Sequence, residues 1–86
     1  LFIADAPRRL DAIGQAIVAG DPEELSRAAH ALKGAAGNIG AVAIQAICAT
    51  LEADAKAGLA GDMGATRMAQ LRWLLDETRT ALAPWA

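Results

Sequence analysis

Residues 21–40 read DPEELSRAAHALKGAAGNIG, and this stretch contains both a helix start and a helix face. Asp21 is typical of an N-cap, Pro22 suits the first helical position, and a glutamate follows in the first turn. Apolar residues then recur at spacings of 3, 4 and 7, which is typical of the buried face of an amphipathic helix. The apolar positions are Leu25, Ala28, Ala29, Leu32, Ala36 and Ile39. The pattern predicts a helix over residues 22–38, which ends near Asn38 and Gly40, since both residue types can adopt a positive φ.

Three more helices are expected on either side of this segment. The four predicted helices span residues 5–18, 22–38, 41–57 and 62–82. Gly20 is expected to close the first helix, residues 58–61 to form a turn, and Asp62 to cap the last helix. The predicted inner faces carry Ala6, Leu10, Ile13 and Ile17 on the first helix, Ile44, Ile47, Cys48, Leu51 and Ala55 on the third, and Gly64, Met68, Leu71, Leu75, Thr78 and Leu82 on the fourth.

The composition points to an all-α fold in one domain. Hydrophobic residues make up 55% of the 86 residues and aromatic residues 3%, which suits closely spaced, alanine-rich helices better than a sheet. Four helices joined by links of about 2 to 4 residues favour antiparallel neighbours. We therefore expect an antiparallel, up-down-up-down four-helix bundle.

Charge and cysteine content exclude several classes of function. The net charge is −2, and the eight basic residues are spread along the chain, so the basic stripe of a nucleic-acid-binding protein is absent from the sequence. Cys48 is the only cysteine, which rules out an intramolecular disulfide and makes a small core residue the expected role.

A metal site and a membrane location are not expected either. One histidine and one cysteine on different helices do not make a metal site. No apolar run approaches the roughly 18 to 20 residues of a membrane span and no signal peptide is visible, so a cytoplasmic location is expected.

His30, the only histidine, stands apart from the apolar stripe of its helix. On an ideal helical wheel it lies about 150° from the centre of that stripe and therefore faces solvent. Residues three and four positions later lean back over it, so we expect the Lys33 ammonium beside the imidazole. Gly34 leaves the approach to the ring uncovered, although a glycine inside a helix costs about 1 kcal/mol relative to alanine. Ser26 and Gly37 share this polar sector.

The run His30-Ala31-Leu32-Lys33-Gly34, followed by Gly40 and by Leu51-Glu52 in the next helix, resembles the histidine-containing phosphotransfer (HPt) domain of bacterial phosphorelays. The resemblance covers about residues 5–82. It implies that His30 accepts a phosphoryl group from the phospho-aspartate of a receiver domain and passes it to another receiver. It also implies that Lys33 is a supporting cation and that Gly34 gives clearance to the docking partner.

By the same resemblance, the partners are the receiver domains of response regulators. The residues around His30 expected to contact them are Glu23, Ser26, Arg27, Lys33 and Gly37. No cofactor is expected in this chain, because the divalent metal and most of the catalytic groups belong to the receiver. The sequence has no GxxxxGK[ST] run for nucleotide phosphates, so we expect a phosphocarrier rather than an enzyme. Ala31 stands where the autophosphorylating helix of a histidine kinase usually has an acidic residue.

The sequence also leaves a second interpretation open, in which the chain is a structural or docking bundle and His30 is incidental. A chain that begins with Leu1 rather than methionine suggests a domain of a larger signalling protein, such as a membrane-bound sensor kinase. A self-contained four-helix core favours a monomer.

Overall fold

The computed structural model describes residues 2–38, 41–58 and 60–82, all of which lie in helices or in short turns between them. The helices are α1 (Phe2–Ala19), α2 (Pro22–Gly37), α3 (Val42–Ala57) and α4 (Ala60–Leu82). The prediction of an all-α chain with four helices is therefore confirmed. In the bundle α2 packs against α1 and α3, and α4 packs against α3 and α1, so the helices enclose one core.

Two helices begin earlier than the sequence predicts. Helix α1 begins at Phe2 and runs through Pro7. A proline this near the start of a helix removes only one early backbone hydrogen bond, so the helix can continue past it. Helix α4 begins at Ala60, so the prediction of a turn over residues 58–61 is wrong for its second half. Position 62 lies in the first turn of α4 rather than at its N-cap. Leu59, in the middle of the predicted turn, is outside the described residues.

Local caps account for the other helix ends. Asp21 is the N-cap of α2, and its Oδ1 accepts a hydrogen bond from the backbone N–H of Glu24 at 3.1 Å, as predicted. Gly20, with φ of 65°, follows α1, and Gly58, with φ of 77°, follows α3. Both adopt the left-handed conformation that glycine reaches without a steric penalty. The end of α2 differs from the prediction, because Asn38 keeps a right-handed φ of −65° and its N–H bonds to the Ala35 carbonyl. Ile39 and Gly40 lie outside the described residues.

The core consists of the apolar stripes predicted for the helices, with some positions only partly buried. The buried residues are Ala6, Leu10, Ile13, Ala16, Leu25, Ala28, Ala29, Leu32, Ala36, Ile44, Cys48, Leu51, Ala55, Leu71 and Leu75. Ile17, Ile47 and Met68 pack against this cluster from its edge. Many of these side chains are alanines, so the helices can approach closely along the stripes. The predicted core positions Ile39 and Leu82 lie where the structure describes no side chain.

A buried carboxylate links α3 to α4, and the apolar pattern gives no sign of it. Asp54 is only 7% exposed. Its Oδ2 accepts a hydrogen bond from Arg67 Nε at 3.1 Å, and Arg67 also reaches the side-chain oxygen of Gln70. A buried charge is tolerated when it is paired and hydrogen-bonded, and this pair meets that requirement.

Two glycines lie where α1 and α4 approach each other. A Cβ atom built on Gly64 would lie 2.7 Å from Ile17 Cγ2, a distance that real side chains do not tolerate. A Cβ atom on Gly14 would lie 3.4 Å from Met68 Cε, which is an ordinary contact. Gly64 therefore sets how closely the two helices can pack.

None of the helices that the structure describes combines the length and the apolar character needed to cross a lipid bilayer.

Replacing Gly64 with leucine should lower the free energy of unfolding by about 1 to 3 kcal/mol, because the added side chain must displace Ile17. Leucine at the exposed helical position of Gly34, where a Cβ would meet nothing within 4 Å, is the matched control. Gly34→Leu should raise the free energy of unfolding by up to about 1 kcal/mol through helix propensity. Urea unfolding followed by circular dichroism measures both. Equal effects of the two substitutions would contradict the packing described for Gly64.

Candidate functional site

His30 lies near the middle of α2, on the side turned away from the core. Its neighbours Ala29 and Leu32 are fully buried, whereas the imidazole is 73% exposed. The burial of the apolar stripe fixes the rotation of α2 about its axis, and that rotation points position 30 outwards. The exposure predicted from the helical wheel is therefore confirmed.

Glu52 of α3 contacts both His30 and Lys33 of α2. Its Oε1 lies 3.2 Å from His30 Nδ1 and 3.0 Å from Lys33 Nζ, so one carboxylate oxygen serves both side chains. Lys33 is near the imidazole, as predicted, but the group that it binds is the carboxylate. The sequence indicates Glu52 only as part of the pair Leu51-Glu52 and predicts no contact with His30. The available signal was its position directly after the buried Leu51, which turns it towards the edge of the α2–α3 contact.

The Glu52 carboxyl group is ionised at neutral pH. Burial tends to raise its pKa, but the hydrogen bond from Lys33, the Lys33 charge and the contact with His30 together outweigh burial and hold the pKa below its ordinary value. An ionised carboxylate can only accept hydrogen bonds. In a neutral imidazole the proton must then sit on Nδ1, which donates to Glu52, and Nε2 keeps a free lone pair.

The two glycines predicted near the site have different surroundings. A Cβ atom on Gly34 would meet nothing within 4 Å, so no described neighbour in this chain requires a glycine there. A Cβ atom on Gly37 would lie 2.9 Å from Nε2 of the Gln45 side chain on α3. The bare surface at Gly34 therefore needs an explanation outside the bundle, whereas Gly37 accommodates a side chain of the bundle itself.

The other predicted contact residues lie together, towards the N-terminal end of α2. Glu23, Ser26 and Arg27 line a surface groove of about 350 Å³ with Lys56 of α3. Arg27 also forms an ion pair with Glu24 on its own helix. The structure thus places a charged surface on one side of His30 and the bare Gly34 surface on the other.

Cys48 lies one helical turn before Glu52 and is fully buried. Burial raises the pKa of its thiol to about 12, and the nearby Glu52 charge adds to the effect. A neutral, inaccessible thiol does not act as a nucleophile, so Cys48 is the core residue that the sequence predicts. Within residues 2–38, 41–58 and 60–82, no three of the His, Cys, Asp and Glu side chains gather in a way that could hold a metal ion.

Comparison with protein families gave one result that covers nearly the whole chain. A family model described as the Hpt domain matches residues 1–81. Comparison with curated proteins and with solved structures found no match. The matched region includes all the residues of the candidate site.

Replacing Glu52 with glutamine should produce a stability difference that depends on pH. The folded pKa of Glu52 lies below its ordinary value of 4.5, so its ionised form stabilises the fold above that pH. The variant should be less stable than the wild type by on the order of 1 kcal/mol at pH 7. This difference should shrink as the pH falls below 4.5 and Glu52 takes up its proton.

Urea unfolding between pH 7 and pH 3 measures this difference. Glu77→Gln is the matched control, because Glu77 is exposed, lies far from the start of α4 and forms no ion pair with any described residue. The control should follow the wild type at every pH. A Glu52→Gln difference that is the same at pH 7 and pH 3 would show that the carboxylate charge is not what stabilises the contact.

Proposed function

The chain belongs to the Hpt domain family, and on that basis we propose that it is a phosphorelay intermediate with His30 as the phosphorylated residue. Hpt domains take part in phosphotransfer in two-component signalling, where they interact with receiver domains as phosphocarriers rather than as catalysts. In the proposed relay, His30 accepts a phosphoryl group from the phospho-aspartate of one receiver in the cytoplasm and passes it to another.

The contact between His30 Nδ1 and Glu52 Oε1 is the observation that most supports this proposal. With the proton held on Nδ1, the Nε2 lone pair attacks the phosphorus while the bond from phosphorus to the aspartate oxygen breaks. The aspartate leaves as its carboxylate, and Nε2 carries the phosphoryl group. Glu52 stabilises the positive charge that develops on the ring. Transfer to the next receiver is the reverse of this step, with a new aspartate oxygen attacking the phosphorus.

Lys33 supplies a positive charge close to this reaction. Its Nζ lies 3.0 Å from the oxygen that holds His30, so the ammonium is kept near the imidazole rather than free in solvent. Two unit charges about 4 Å apart in water attract each other by only about 1 kcal/mol. Lys33 therefore assists the transfer modestly, and the receiver contributes the larger share of the catalysis, including a divalent metal ion.

The surface around His30 suits docking of a receiver. Gly34 follows His30 by one helical turn and leaves open the space into which a side chain would lean back over the ring. Glu23, Ser26 and Arg27 provide polar contacts on the other side of His30. Gly37 lies about one turn after Gly34 and belongs to the proposed contact surface, with the Gln45 side chain of α3 beside it.

We also propose that consecutive helices of the bundle run in opposite directions. Only two residues separate α1 from α2, and two separate α3 from α4. Links this short join packed helices that run in opposite directions. The contacts of Gly14 with Met68 and of Gly64 with Ile17 support the same arrangement, because the residue number rises along α1 as it falls along α4.

Substitution of His30 with glutamine tests the central proposal. His30→Gln should keep the helical circular dichroism of the wild type, because the side chain is 73% exposed, and it should accept no phosphate. The assay incubates each protein with a phosphorylated receiver and detects the acid-labile, alkali-stable phosphate expected of phosphohistidine. Glu77→Gln, on the exposed side of α4, is the control and should be labelled like the wild type. A folded His30→Gln protein that is labelled at the wild-type rate would place the phosphate on another residue.

Substitution of Gly34 with glutamine separates stability from docking. Gly34→Gln should unfold at the same or a higher temperature than the wild type, because glutamine favours the helix by up to about 1 kcal/mol and its Cβ meets no atom within 4 Å. It should exchange phosphate with its receiver much more slowly, because the side chain occupies the space above His30. Gly34→Ala should be intermediate in transfer. Thermal circular dichroism and a transfer time course measure the two effects. Normal transfer by Gly34→Gln would mean that clearance for the partner is not the role of this glycine.

A further inference from the structure

A groove of about 490 Å³ runs between α1 and α4 and shares no residue with the site around His30. Its floor is formed by Gly14 and Met68, and its α1 side carries Asp11, Gln15, Val18 and Ala19. Arg72 stands on the α4 side. Because the groove lies between two helices other than α2, a partner bound there would leave His30 accessible.

The groove carries an apolar projection beside an apolar depression. Val18 is 90% exposed, which is the highest exposure among the large hydrophobic side chains that the structure describes. One turn earlier on the same helix, Gly14 contributes no side chain and leaves Met68 as the floor. Both features leave apolar surface exposed to solvent, and a partner that covers the groove would bury it.

The groove also carries one charge of each sign. Asp11 lies on the α1 side and Arg72 on the α4 side, and neither forms an ion pair with another residue in the described part of the chain. Asp11 precedes Gly14 by about one turn, and Arg72 follows Met68 by one turn. With α1 and α4 antiparallel, both charges flank the same end of the groove, and Val18 lies at the other end.

We propose that the α1–α4 groove is the interface of a homodimer whose two-fold axis runs parallel to the helices. This symmetry places α1 of one copy opposite α4 of the other at the same height. Asp11 then faces Arg72 of the second copy, and Arg72 faces the second copy's Asp11. The end of the groove that carries Val18 also faces the corresponding end of the second copy. Other orientations of the two-fold axis bring the charged end of one copy onto the apolar end of the other, which buries unpaired charges.

The dimer presents two phosphotransfer sites that face away from each other. His30 and Glu52 lie at the contact of α2 with α3, whereas the interface uses α1 and α4. The groove is small, so we expect weak association with a dissociation constant below about 1 mM rather than a permanent dimer. This proposal differs from the monomer that the sequence favours.

Charge reversal at Asp11 and Arg72 tests both the interface and its symmetry. Asp11→Arg and Arg72→Asp each place like charges opposite each other twice in a homodimer, so each should weaken self-association by about tenfold or more. Mixing the two variants restores opposite charges at both contacts, so the mixture should form a heterodimer with an affinity near that of the wild type. Sedimentation equilibrium at protein concentrations up to the millimolar range measures the association.

Lys56→Asp, on the α2–α3 side, changes the net charge by the same amount as Arg72→Asp and serves as the matched control. It should associate like the wild type, which separates the local contact from a general effect of charge. Circular dichroism of every variant checks that the fold is unchanged. A wild type that stays monomeric up to the millimolar range overturns the proposal. Association that occurs but is equally strong in all single variants, or that does not return on mixing, also overturns it.

Discussion

The burial of the apolar stripe of α2 against α1 and α3 is the interaction on which the rest of the structure depends. Leu25, Ala29, Leu32 and Ala36 have no exposed surface, and burying all four allows α2 only one rotation about its axis. That rotation turns His30 towards solvent and brings Lys33 within reach of α3. A rotation by one residue, about 100°, would expose a leucine and bury a polar side chain, which is costly. The same apolar stripe therefore determines both the packing of the core and the positions of His30 and Lys33 at the surface.

The parts of the fold that could be predicted are those governed by local sequence. The spacing of Leu25 and Leu32 defines a helix face, and Asp21 caps the helix through its own side chain, so both could be recognised without tertiary structure. The start of α4 could not be predicted in this way. Asp62 is the residue type that caps a helix, but α4 begins before it. The right-handed conformation of Asn38 could not be predicted either, because asparagine can end a helix in more than one way.

The polar contacts that the sequence does not predict each join two helices. Glu52 reaches Lys33 from α3, and Arg67 reaches Asp54 from α4. Whether such groups meet depends on the distance and the rotation of two helices together, and one-dimensional periodicity does not determine these quantities. Asp54 illustrates the difficulty, because a carboxylate on the inner stripe looks unfavourable until its arginine partner is known. His30, Lys33 and Gly34 belong to a single helix, and their relative positions were accordingly predictable.

Cys48 lies too deep in the core to be modified chemically while the domain is folded. Its thiol is fully buried and its pKa is raised to about 12, although it stands one turn from the carboxylate that holds His30. Oxidants and alkylating reagents act on exposed thiolates, so they can reach this sulfur only when the bundle opens. A change in cellular redox state therefore leaves the folded domain chemically unmodified at its only cysteine. The rate at which a thiol reagent labels Cys48 consequently reports how often the core opens, which makes the cysteine a natural probe of unfolding in the intact protein.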